Sequence, residues 1–226
     1  MAPARKDDIT QLISDIHSYQ INYHTREIYL HSPHMNFEEE PGVDYRMATS
    51  FCKNLHILEH HSNKPIIIHM HSIGGCWSDG VAIYDAISNC SCHVVVIAYA
   101  QAASMSAIIL QAADLRLMMP NCEFMIHYGH TGFSGTSIEV ASAAQADARG
   151  RRLMLDILAT KAIHGSVCKA KGYSMSRTRS FIDRKMKDKS DWYLNSEESI
   201  EYGFADGIYG MGKFTNYNEV LKYFLV

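Results

Sequence analysis

Apolar and polar positions alternate along the chain with two rhythms, one near 3.6 residues and one of two. Between Asp7 and Tyr19, Ile9, Leu12, Ile13 and Ile16 fall at helical spacing behind an aspartate able to cap, which predicts a helix. Glu27–His31 is β-branched and aromatic and predicts a short strand. Ser32–Gly42 is polar and carries Pro33, Pro41 and the run Glu38-Glu39-Glu40, so it reads as a loop with a solvated acidic face. Asp44–His61 places Met47, Phe51, Leu55 and Leu58 on one face of a second helix. Pro65–His71 reads as a strand running into Gly74-Gly75, and Val81, Ile83, Tyr84 and Ile87 then return to helical spacing.

The centre of the chain is the most apolar. His93–Tyr99 is a continuous apolar run, as in a strand buried on both faces. Ala102–Ala113 reads as a buried helix of small residues, and Leu115–Met119 and Phe124–His127 as strands. Ser137–His164 reads as one long helix with Gly150 as its weak point. Ser196–Tyr202 predicts a short helix and Ala205–Tyr209 a strand. Strands alternating with helices imply an α/β fold with a mostly parallel sheet and right-handed crossovers. In such sheets ligands bind beyond the carboxyl ends of strands, where helices begin. Ser72–Cys76 and Ala100–Met105 occupy such places.

Composition narrows the classes. The chain has 226 residues, 47% hydrophobic and 20% charged, which excludes a disordered chain. Its net charge of −3 argues against a dedicated nucleic-acid binder, and no polybasic cluster marks a membrane surface. Arg5 and Lys6 are followed at once by Asp7 and Asp8 and by no apolar run, so no signal peptide is expected. No apolar run approaches the ~20 residues of a spanning helix, and the reading is a soluble, cytoplasmic protein. The six cysteines form no C-x-x-C unit and read as buried free thiols.

Three positions carry candidate chemistry. Ser104, in Q-A-A-S-M-S-A, stands at a strand-to-helix turn among small neighbours, where backbone N–H groups and the helix dipole favour an oxyanion. An ordinary N-cap serine fits the same pattern. His127 closes a strand before Tyr128-Gly129 and can face a site, but it is one of 13 histidines and on its own reads as structural. Asp191, in K-S-D-W-Y-L, fits a turn acid or the orienting member of a triad. There is no G-x-S-x-G elbow, which argues against an α/β-hydrolase. His69 and His71 share one strand face, so a metal pair is an alternative there, although His71 leads into the glycine turn. His60-His61 ends a helix, where the dipole favours histidine.

Four motifs, in order, resemble the proteolytic subunit of the Clp protease. They are H-S-I-G-G (71–75) with G-V-A-I-Y-D-A-I (80–87), Q-A-A-S-M-S-A (101–107), M-P-N (119–121) with M-I-H (125–127), and D-W-Y-L-N-S-E-E-S-I-E-Y-G-F-A-D (191–206). The resemblance implies a Clp/crotonase-like fold of repeated β-β-α units with a protruding handle helix. The handle would span about 129–164, within a peptidase domain over 27–209, flanked by a helical segment over 1–26 and a tail over 210–226. It implies a serine endopeptidase with Ser104 as nucleophile, His127 as base, Asp191 as orienting acid, and Gly74 and Met105 as the oxyanion hole. Gly75, Gly132, Phe133 and Ser134 would bind an extended substrate, with Gly132–Gly135 as a strand. No cofactor and no metal are implied. The implied partners are an unfolded polypeptide, further copies in one or two seven-membered rings, and an AAA+ unfoldase, with no nucleic acid and no membrane.

The match also has departures. Ile73 stands where the family has proline, Tyr128-Gly129 replaces Gln-Pro, and Lys189-Ser190 replaces Asp-Arg. Gly165–Lys189 is longer than in the family and basic, and reads as a solvated surface insertion, with an interaction site as the alternative. Such departures mark a divergent member, of phage or unusual bacterial origin. A phage head-maturation protease and a catalytically weak structural subunit of a mixed ring are alternative functions. A crotonase-type acyl-CoA enzyme would need acidic groups and a CoA pocket that the motifs do not show.

Overall fold

The apolar runs resolve into strands of one sheet. A computed structural model describes residues 6–31 and 42–224; the expected acidic loop falls almost wholly outside them. The chain runs through α1 (Lys6–Tyr19), β1 (Ile21–Asn22), β2 (Glu27–Leu30), α2 (Tyr45–His61), β3 (Ile66–Ser72) and α3 (Trp77–Ser88). It continues through β4 (Val94–Ala103), α4 (Met105–Leu110), β5 (Leu115–Met118), β6 (Glu123–Ile126) and α5 (Ser137–Ala162). It ends with α6 (Ser166–Ala170), α7 (Met175–Lys189), β7 (Trp192–Leu194), α8 (Ser196–Glu201), β8 (Gly207–Ile208) and α9 (Tyr217–Lys222).

The sheet order is β1-β2-β3-β4-β5-β8, with β6 joining β4 and β7 joining β6. All pairings are parallel except β1–β2 and β6–β7. Period-two geometry, with a layer packed on each side, explains why the first halves of β3 and β4 are apolar at successive positions. Ile66, Ile68, Met70, Val94, Val96 and Ala98 face the main core with α2 to α5, while Ile67, Val95 and Ile97 face a second layer. That second layer is closed by Phe214 and Val220 from the C-terminal segment.

Several expectations need correction. Ala102 and Ala103 belong to β4, and the helix after them is only Met105–Leu110. Small apolar residues suit either element, so pairing with β6 decided the outcome. No strand forms over 132–135, where the chain is irregular and solvent-exposed. The basic segment after α5 is not a solvated insertion: α7 buries Phe181, Ile182 and Met186 in the main core. Cys76 is exposed and Cys52 and Cys90 partly so, leaving Cys92, Cys122 and Cys168 buried. In α1, Ile9 and Ile13 remain exposed.

The long helix forms as expected. Thr136 and Glu139 cap it reciprocally, and its C-terminal half buries Met154, Ile157, Leu158, Ala159 and Ala162. Its first half is mostly uncovered, with Ile138 81% exposed. At 1.5 Å per residue the helix is about 39 Å long, so this half projects from the body.

Candidate active site

The length of β4 places the serine. Its first half pairs with β5 through Val95–Ala98, and its second half leaves β5 to pair with β6 through Gln101–Ala103. Ala100, at φ 30°, marks the change. Ser104 follows at once, held by its N–H donating to Met125 O at 2.8 Å. Its φ of 54° and ψ of −121° are unusual for serine, a conformation costing about 1–3 kcal/mol that persists where flanking structure imposes it. The side chain makes no capping bond to α4, so the hydroxyl is not spent on the helix.

Ser104 Oγ instead lies 2.8 Å from His127 Nε2. His127 Nδ1 lies 2.8 Å from Asp191 Oδ1. His127 extends β6 and Asp191 precedes β7, so the antiparallel pairing of β6 with β7 brings them together. The histidine side chain is 18% exposed and the aspartate 48%.

The glycine turn after β3 closes against the serine. A Cβ on Gly74 would stand 2.6 Å from Ser104 Cβ and 2.8 Å from Met105 N, and its φ is +98°. The Gly74 N–H donates to the buried Ser72 Oγ at 3.2 Å, and Gly74 O accepts from Val43 N at 2.5 Å. Val43 O accepts from Cys76 N at 2.8 Å, so Val43 bridges the two residues on either side of Gly75. Among the described residues, the N–H groups of Gly75 and Met105 have no hydrogen-bond partner. Gly75 thus lines the cavity with Ser104 and carries a free amide, whereas the amide of Gly74 is engaged by Ser72.

A cavity of about 710 Å³ opens beside these groups. Gly75, Cys76, Ser104, Met105 and His127 line it, together with Trp77, Tyr128 and Phe133. Gly132 and Ser134, expected to bind substrate, do not. The far wall is a stripe of α5, with Ala143, Ala146, Asp147, Gly150, Arg151 and Met154. These residues recur every three or four positions, a helical spacing present in the sequence that only the packing turns into a wall. Gly150 admits the Trp77 ring: a Cβ there would lie 3.2 Å from Trp77 Nε1.

His69 is turned away from this site, with Nδ1 2.9 Å from the Tyr99 hydroxyl and its ring stacked on Tyr29. Among the described residues no group of three His, Cys, Asp or Glu is placed to hold a metal ion.

The serine, imidazole and carboxylate contacts have the form of a serine-hydrolase triad. The Clp protease family pattern matches residues 23–211. A Clp protease proteolytic subunit 2 of Tropheryma whipplei is 28% identical over 171 residues, covering 74% of this chain and 86% of the relative. One of Pseudomonas aeruginosa is 30% identical over 169 residues, covering 74% and 77%. A proteolytic subunit of Chlorella vulgaris is 30% identical over 156 residues, covering 68% and 70%. The chain belongs to the Clp protease family, whose type is the serine peptidase, and its mixed α/β architecture is the Clp/crotonase-like fold. Among the described residues, no helix is long and apolar enough to cross a membrane.

Proposed function

We propose that the chain is a serine endopeptidase that cleaves peptide bonds of unfolded polypeptides. The observation that carries this reading is the pair of 2.8 Å contacts linking Ser104 to His127 and His127 to Asp191. His127 Nε2 takes the Ser104 hydroxyl proton as Oγ attacks the peptide carbonyl. The developing oxyanion is met by the N–H groups of Gly75 and Met105, each such donor contributing about 10²–10³ in rate. Gly74 supports that hole by packing rather than by donating. Collapse of the tetrahedral intermediate passes the proton from His127 to the leaving amine and leaves an acyl group on Ser104. A water, activated by His127 in turn, releases it. Asp191 holds the imidazole with Nδ1 protonated.

An extended peptide would lie between the glycine turn and the segment over 131–133, with a side chain in the cavity beside Trp77, Ile108 and Met154. The projecting half of α5 and the exposed segment before it would be covered by other copies of the chain. That supports a homo-oligomeric chamber of one or two seven-membered rings, entered only by unfolded chains, with an AAA+ unfoldase as partner and the cytoplasm as its place.

The test is covalent labelling with a fluorophosphonate alongside fluorogenic peptide turnover, on the assembled protein sized in solution. Wild type should label and turn over peptide, and Ser104→Ala should do neither. Equal labelling of both, or none of the assembled wild type, overturns the triad. An aligned triad favours an active subunit over a purely structural one, and turnover by the chain alone decides between them.

A further inference from the structure

Two of the chain's departures from its family meet in space. Tyr128, directly after His127, donates its hydroxyl proton to Asp183 Oδ1 on α7. Asp183 Oδ2 in turn accepts from Lys187 Nζ at 2.8 Å. On the other side, the Arg151 guanidinium of α5 lies 5.5 Å from the Tyr128 ring centroid. Asp147 holds that guanidinium at 2.7 Å, and it also donates to Thr131 Oγ1 at 3.2 Å. The loop that leaves the histidine is thus held from α7 and from α5.

The loop has little else to hold it. Beyond His127 the chain has no regular structure until α5 begins at Ser137, and residues 129–139 are exposed. Gly129, at φ 71°, lets the backbone turn away at once. The strand β6 fixes only the N-terminal side of His127. The acceptor, by contrast, is rigid. Helix α7 is anchored by Phe181, Ile182 and Met186 and by the Arg179–Asp156 ion pair to α5. The same helix ends at Lys189, two residues before Asp191. One packed body therefore leads into the carboxylate on one side of the imidazole and grips the loop on the other. Burial, and then the neighbouring Asp183 carboxylate, push the Tyr128 phenol far above its ordinary value, so it remains a donor at neutral pH.

We infer that Asp183 and Tyr128 are positioning residues, a latch by which α7 fixes the His127 loop and with it the alignment of Ser104, His127 and Asp191. The inference rests on His127 being the general base. Neither residue contributes a proton to the reaction. Their effect is geometric, and misplacement of a catalytic group by about 1 Å costs up to about 10² in rate.

Three variants separate the latch from a general structural role. Tyr128→Phe keeps the ring and its Arg151 contact and removes only the hydroxyl. Asp183→Ala removes the acceptor, and Asp183→Asn keeps a carbonyl oxygen that can still accept. Two measurements are made on the assembled protein: backbone hydrogen exchange over 127–135, and kcat and KM for a fluorogenic peptide. Tyr128→Phe and Asp183→Ala should speed exchange over 127–131 about tenfold and lower kcat by about tenfold or more, with KM changed less than about twofold. Asp183→Asn should recover most of both. Unchanged exchange in Tyr128→Phe and Asp183→Ala would overturn the latch. So would a loss confined to KM, or an Asp183→Asn variant no better than Asp183→Ala. Absence of peptide turnover in wild type would sink the catalytic reading instead, and the exchange comparison would still decide whether the latch exists.

Discussion

His127 and Asp191 stand opposite each other because β6 and β7 pair antiparallel with Ile126 against Trp192. One step beyond that pair in each direction are the histidine and the aspartate. Their 2.8 Å contact is a consequence of strand register, and register is set by the apolar residues Phe124, Ile126, Trp192 and Leu194, all buried. Replacing Asp191 by Asn keeps the shape but turns an acceptor of the Nδ1 proton into a group able to donate. Asp191→Asn should fold normally and lose about 10⁴ in kcat, read from peptide turnover beside an unchanged melting curve.

The approach of Gly74 to Ser104 sets a second expectation. A methyl group there would stand 2.7 Å from the Ala103 carbonyl oxygen as well as against the serine, on a backbone at φ +98°. Gly74→Ala should lower stability by about 1–3 kcal/mol and abolish fluorophosphonate labelling, because the turn and the serine must move apart. A urea titration and a labelling time course measure the two effects.

Thiol chemistry should report on the same place. Cys76 is exposed and lines the cavity with Ser104, whereas burial pushes the Cys122 thiol up to about 12 and Cys90 to about 11. N-ethylmaleimide at neutral pH should modify Cys76 well before Cys122 or Cys90 and block peptide turnover by filling the cavity mouth. Cys76→Ala should turn over peptide and resist the reagent. Peptide mapping by mass spectrometry locates the adduct.

Away from the site, Arg116 is a buried charge whose neutralisation depends on one partner. Its Nη2 is 2.5 Å from Asp206 Oδ1 and its Nε 2.9 Å from Asp206 Oδ2, while Nη1 bonds Gln111 and the Gly203 carbonyl. Asp206→Ala should cost about 2–4 kcal/mol in a urea titration, since the guanidinium would keep only neutral acceptors. Replacing both residues by apolar ones should cost less than the single change.

The latch carboxylate has its own pH signature. Hydrogen bonds from Lys187 and then from Tyr128 hold the Asp183 carboxyl below its ordinary value. A lowered folded-state value means that its contribution is complete above the ordinary value near 3.9 and is lost as pH falls through the lowered one. The stability gap between wild type and Asp183→Ala should therefore be largest near pH 7 and close toward about pH 3. Urea midpoints measured across that range test the sign.

Local pattern was enough to locate the chemistry but not to assemble it. The apolar run of β4, the helical spacing of α2 and α5, and the three triad residue types at strand ends were legible, because neighbour spacing determines which face a side chain shares. Pairings between distant segments were not. His127 and Asp191 are 64 residues apart, and only the β6–β7 register brings them together. The exchange of partners along β4 hid the boundary between Ala103 and Ser104, since alanines suit strand and helix alike. The free amide of Gly75 and the occupied one of Gly74 depend on Ser72 and Val43, which the linear pattern does not rank. The basic stretch looked solvated because its charges outnumber its apolar residues, yet three of those apolar residues reach the core and turn it into a helix that touches the site. Sequence by itself determined which candidate side chains this protein carries and roughly where strands end. Tertiary structure alone decided which of them meet, because side-chain encounters over long separations are set by sheet register and core packing and not by periodicity.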